Sequence, residues 1–221
     1  MRIELTASDG HRLSAYRAGP QDAKRGLVVV QEIFGVNRHM RHVCDAFAAQ
    51  GYAVVSPALF DRVERDVELG YEQADIQRGL SLRAKIAPEQ VMADIEAAAA
   101  AALPQGAKRG IVGYCWGGTV AWWGATRSNS FAASSCWYGG GIAAAKDEKP
   151  RCPVQMHFGD QDHSIPMTDV EAIRAAQPGV EIFVYQGAGH GFGCEERGSF
   201  KADDAALAQK RTLEFFARHL G

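Results

Sequence analysis

Gly113-Tyr114-Cys115-Trp116-Gly117-Gly118 stands between the apolar run Gly110-Ile111-Val112 and a segment of helical composition over residues 118–126. A potential nucleophile with glycine two places away on either side is the pattern of a sharp strand-to-helix turn. Such a turn holds its central residue in a strained backbone conformation, and side chains at the glycine positions would strike the neighbouring strand or helix. The turn lifts Cys115 above the carboxyl end of the sheet, where open α/β sheets bind their ligands. It also sets the sulfur at a helix N-terminus, whose partial positive charge favours a thiolate. Taken alone, G-x-C-x-G is better described as a buried cysteine in a Gly-rich connection, so the weight falls on what surrounds it.

Outward from this turn, short β-rich apolar runs alternate with longer segments of helical composition. Leu27-Val28-Val29-Val30 precedes a helix over residues 38–50, and Tyr52-Ala53-Val54-Val55 follows directly. Further along, strands over residues 153–158 and 180–185 precede helices over 167–176 and 200–220. Continuous apolar runs suit strands buried on both faces of a parallel sheet, with right-handed crossovers and helices on both sides. The opening Arg2-Ile3-Glu4-Leu5-Thr6 alternates and leads to Asp9-Gly10, which predicts an antiparallel edge hairpin. Residues 88–103 are Ala-rich and read as a helix with Glu89, Asp94 and Glu96 solvated. The charged stretch 61–85 reads as a partly helical excursion of the kind that covers active sites. No repeat or linker divides the chain, so the expectation is one α/β domain over residues 1–221, a mostly parallel central sheet with helices on both faces.

Lys and Arg total 24 against 26 Asp and Glu in 221 residues, and no basic run provides a face for nucleic acid. The longest apolar run, Ala97 to Leu103, is far short of the ~20 residues that span a bilayer. The charged start Met1-Arg2-Ile3-Glu4 lacks the apolar core of a secretory signal. Five cysteines, an odd number without CxxC spacing, read as free thiols of a reducing compartment. The expectation is a soluble cytoplasmic chain, monomeric because no exposed apolar element is evident, with neither nucleic acid nor membrane as a partner. No cofactor is expected, and no metal either: His39 and His42 could share a helix face, yet no Cys or carboxylate sits at a fitting position.

Two downstream segments give the Cys115 turn its meaning. The run Val154 to Phe158 leads into Gly159-Asp160-Gln161-Asp162-His163, and Val180 to Tyr185 leads into Gly187-Ala188-Gly189-His190-Gly191-Phe192. A carboxylate past one strand and an imidazole in a loop past the last one converge on the sheet edge that carries Cys115. A thiol is mostly protonated at neutral pH, so an imidazole must help it ionise, and Asp162 would orient that imidazole and steady its charge. Asp160, closer to the strand end, reads as a turn residue, and His163 as a loop residue. Nucleophile, acid and base then follow in the order of the α/β-hydrolases.

Together with Gln31-Glu32-Ile33-Phe34-Gly35-Val36-Asn37 after the early strand, these segments resemble the dienelactone hydrolase family over nearly the whole chain. The resemblance implies an α/β-hydrolase fold with Cys115, Asp162 and His190 as the catalytic residues. It also implies that Glu32 is an extra carboxylate that interacts with the resting thiol and controls its activation. A carboxylate beside a thiol disfavours the thiolate, so that arrangement must change for catalysis. The backbone N–H groups of Ile33 and Trp116 would form the oxyanion hole. The implied chemistry is hydrolysis of an ester or lactone through a thioester on Cys115.

One departure concerns the substrate. Family members that open unsaturated lactones hold a substrate carboxylate with arginines, one of them four residues after the catalytic His, and that position here is Cys194. Arg197 is near, and Arg78 or Arg83 could serve from the excursion, with Phe192 as an aromatic wall. Two alternatives to lactone hydrolysis stand beside it. One is a general carboxylesterase of the same family. The other is a thiol redox or ligand-binding protein without turnover, in which Cys194 resolves an oxidised Cys115.

Overall fold

The computed structural model describes residues 1–103 and 107–221. Strands β1 (Arg2–Thr6) and β2 (Arg12–Ala18) form the expected antiparallel hairpin. Then come β3 (Arg25–Val30), α1 (Arg38–Ala49), β4 (Tyr52–Pro57), α2 (Gln73–Arg83) and α3 (Pro88–Ala102). The second half contains β5 (Arg109–Tyr114), α4 (Trp116–Arg127), β6 (Ala133–Trp137), β7 (Val154–Gly159), α5 (Met167–Ala176), β8 (Glu181–Tyr185) and α6 (Ala202–Leu220). The strands form one sheet in the order β1-β2-β4-β3-β5-β6-β7-β8. β2 pairs antiparallel with β4, and every pairing from β4 through β8 is parallel.

Neighbouring residues of a strand point to opposite faces, and β5 shows what covers each face. Gly110 leaves room for the Phe216 ring of α6, while Ile111 packs on Gly124 of α4. Phe47 of α1 meets Phe216 at a ring distance of 6.4 Å, so α1 and α6 share one face. The last residue of α3, Ala102, faces Gly26 on the α4 side. β3 and β5 are therefore buried on both faces, which explains their unbroken apolar runs.

One strand was not foreseen, and one expectation is corrected. β6, Ala133-Ser134-Ser135-Cys136-Trp137, is a fully buried central strand that its composition conceals. Its hydroxyls are satisfied locally: Ser134 donates to the Ala121 carbonyl and Ser135 pairs with Thr212 of α6. Asp94 is not solvated but fully buried, with Arg62 donating to both of its carboxylate oxygens at 2.9 and 2.7 Å. Among the described residues, no helix is long and apolar enough to cross a membrane.

Candidate active site

Cys115 occupies the turn between β5 and α4 with φ 56 and ψ −117, a conformation that side chains other than glycine rarely adopt. The backbone closes tightly around it. A Cβ on Gly113 would lie 1.9 Å from the Gly117 carbonyl oxygen, and one on Gly117 would lie 2.3 Å from that of Val30. The Cys115 N–H donates to the Trp137 carbonyl at 3.0 Å, tying the turn to the end of β6. Strain of this kind costs about 1–3 kcal/mol per residue and persists only where the surroundings over-determine it.

The three residues named from the loops meet in a line. His190 Nε2 lies 3.1 Å from Cys115 Sγ, and His190 Nδ1 lies 2.7 Å from Asp162 Oδ2. Asp162 is buried and its other oxygen accepts the Ser164 N–H at 2.8 Å, which fixes the carboxylate plane. Ser199 donates to the His190 carbonyl at 2.6 Å and anchors the loop after β8. Burial works against a charged imidazole, but the Cys115 sulfur and the Asp162 carboxylate outweigh it and raise His190 to about 10. Asp160 is the turn residue expected, accepting the Gly187 N–H at 2.6 Å, and His163 is exposed.

Glu32, at the end of β3, is fully buried, and Arg197 Nη1 approaches its Oε1 at 3.4 Å. The expected contact of Glu32 with the thiol is not made in this arrangement: Cys115 is bonded to His190 and Glu32 is paired with Arg197. Ile33 and Trp116 both border the pocket above the sulfur. Trp116 opens α4, so its N–H has no acceptor within the helix. The Ile33 peptide is pinned by α2, because a Cβ on Gly79 would lie 2.0 Å from the Ile33 carbonyl oxygen. The excursion therefore shapes the early loop as well as covering the site.

The pocket above Cys115 has a volume of about 440 Å³. Ile76, Leu80 and Arg83 of α2 line it together with Ile33, Phe34 and Arg197. Spacings of four and three residues put those α2 side chains on one helix face. Arg78, two residues from Ile76, faces elsewhere, is exposed and pairs with Glu64, so the expectation that it lines the site is corrected. Phe192 is corrected too. It is fully buried and stacks on Trp137 at 5.8 Å, because the chain turns inward after Gly191, φ 78. Arg83 lies 5.9 Å over the Trp116 ring and has no carboxylate partner among the described residues. The Arg197 guanidinium stands in the pocket although residue 194 is a cysteine. Reading from sequence missed Ile76 and Leu80, which the helical spacing with Arg83 could have revealed.

The view that His39 lacks fitting ligands is also corrected. Glu32 and Cys194, distant in sequence, bring ligand atoms to His39 such that all three lie within 4.8 Å of one another.

A half-buried, oriented cysteine–imidazole–carboxylate line beneath a pocket bordered by Ile33 and Trp116 is equipped for acyl transfer. Comparisons with known proteins agree. The profile of the Dienelactone hydrolase family matches residues 13–220. The carboxymethylenebutenolidase of Pseudomonas putida is 32% identical over 97% of this chain and 95% of its own. A protein of Escherichia coli strain K12, provisionally assigned as a carboxymethylenebutenolidase, is 36% identical over 97% of this chain and 85% of its own. A Klebsiella pneumoniae crystal structure provisionally assigned as a dienelactone hydrolase superposes with a TM-score of 0.82 at 31% identity, covering 99% of this chain and 100% of that one. With its fold, its motifs and these likenesses in agreement, the chain belongs to the dienelactone hydrolase family.

Proposed function

We propose that this chain hydrolyses a carboxylic ester or lactone through a thioester on Cys115. The observation that carries the proposal is the unbroken line from Cys115 Sγ through the His190 ring to Asp162, 3.1 and 2.7 Å. His190 takes the thiol proton and the sulfur attacks the substrate carbonyl. The tetrahedral oxyanion rests on the N–H groups of Ile33 and Trp116. Collapse expels the alcohol, which receives its proton from His190, and leaves a thioester. Water then attacks, His190 acting as base, and the acid departs with the thiol restored. Glu32 serves in activation: a shift of its partnership with Arg197 as substrate enters alters the field at Cys115.

The substrate carries a carboxylate beside the scissile bond. Arg83 is available to it without losing an ion pair, and Arg197 faces the same pocket. This favours an acid-bearing lactone or ester over the neutral esters of a general carboxylesterase. The redox reading has less support, since burial pushes the Cys194 thiol up to about 12 and makes it a poor resolving group. The five free thiols suit a reducing cytoplasm, and the scattered exposed apolar side chains suit a monomer. Light scattering at twice the monomer mass would refute the last point.

The experiment is hydrolysis of a chromogenic aryl ester and of cis- and trans-dienelactone by wild type and Cys115→Ala. Turnover confined to the wild type is expected. Equal turnover by the variant would end the proposal.

A further inference from the structure

Behind the pocket wall lies a set of polar side chains of which the proposed hydrolysis uses only Glu32. His39 of α1 is 3% exposed, and neither ring nitrogen has a hydrogen-bond partner among the described residues. Glu32 Oε2 is likewise buried and without a partner, although Oε1 meets Arg197. Cys194 is fully buried beside them. An imidazole buried with two idle nitrogens forfeits about 1–3 kcal/mol for each, so its position calls for a ligand.

We infer that Glu32, His39 and Cys194 form a binding site for one thiophilic divalent cation of the zinc class. One sulfur, one nitrogen and one oxygen suit zinc, which takes three protein ligands and leaves a fourth position to water. Tetrahedral zinc at about 2.0–2.3 Å from each ligand needs donor atoms roughly 3.5 Å apart. The present separations, within 4.8 Å, therefore have to close by about 1.3 Å at most. On binding, the Cys194 S–H bond breaks, a sulfur–metal bond forms and the proton leaves to solvent. Arg197, which lines the pocket, also pairs with the Glu32 carboxylate.

Ligation through the idle Oε2 draws on the Glu32 charge that Arg197 shares through Oε1. On the reading that Glu32 helps to activate Cys115, the ion is an inhibitor. That consequence rests on the proposed function, whereas the site itself does not.

The test uses Cys115→Ala protein, so that the catalytic thiol and His190 cannot supply the signal, and titrates it with Co²⁺. A thiolate-to-cobalt charge-transfer band with tetrahedral visible bands is expected at one equivalent, bleached by Zn²⁺. Adding Cys194→Ser should abolish the charge-transfer band, and adding His39→Gln should weaken Co²⁺ binding at least about tenfold. Far-ultraviolet circular dichroism without metal shows whether each variant is folded, and either folded one suffices. Absence of a band, or one unchanged in both variants, overturns the site. A separate measurement on otherwise wild-type protein compares the fraction of turnover that Zn²⁺ removes with and without Cys194→Ser. Equal fractions overturn the inhibitory role.

Discussion

Arg197 Nη1 lies 3.4 Å from Glu32 Oε1, across 165 residues of sequence and at the back wall of the pocket. Burial opposes the charge of Arg197, but the Glu32 carboxylate, with the Cys115 sulfur assisting, raises its affinity for the proton. Removing one member strands the other. Arg197→Met should cost about 3 kcal/mol in urea unfolding, because it leaves a buried carboxylate uncompensated. Glu32→Gln on that background should restore most of the loss. A single variant as stable as wild type would show that the pair is structurally idle.

Asp162 touches His190 rather than the substrate. Asp162→Asn keeps the shape but presents an amide N–H where an acceptor is required, which favours the wrong tautomer of His190. The expected result is a fall in kcat of about 10⁴-fold with KM little changed. Steady-state kinetics within tenfold of wild type would remove Asp162 from its assigned role.

What the sequence made legible follows the range of the interactions. The Cys115 turn, the two loops and the parallel strands are local patterns of glycine and apolar residues, and they lie where their spacing placed them. β6 was hidden because Ala133, Ser134 and Ser135 are buried by contacts with α4 and α6, not by their own hydrophobicity. Arg78 and Arg83 differ in helix phase, and only Arg83 falls in phase with Ile76 and Leu80. The meeting of Glu32, His39 and Cys194 depends on three separate elements, so no spacing could announce it.

Arg83 borders the pocket without a carboxylate of its own. Arg83→Gln should raise KM roughly tenfold or more for an acid-bearing lactone or ester, the loss of about one charge-assisted hydrogen bond. KM for a neutral aryl ester should hardly move. An equal change for both substrates would mean that Arg83 shapes the wall without reading charge.

His157 is fully buried between β6 and β8, with Nδ1 2.8 Å from the Tyr185 hydroxyl and Nε2 2.9 Å from Gln155. Burial, helped slightly by Arg211, lowers it to about 3. The folded protein therefore keeps it neutral while the unfolded chain takes up a proton below about 6.5. Stability from this group is intact above that value and falls as pH drops toward 3, by about 3 kcal/mol between pH 7 and pH 4. Urea unfolding of wild type and His157→Gln at both pH values checks this, the variant showing the smaller loss. Identical losses would assign acid sensitivity to other groups.

The central claim is a covalent bond to one sulfur. Quenching wild-type protein in acid within its first turnovers of a slow aryl ester, followed by intact and peptide mass measurement, tests it most directly. The account predicts one acyl group per chain, on the peptide carrying Cys115, released by hydroxylamine and absent from Cys115→Ala. Full turnover with no adduct at any time of quenching, and with Cys115→Ala equally active, would contradict it.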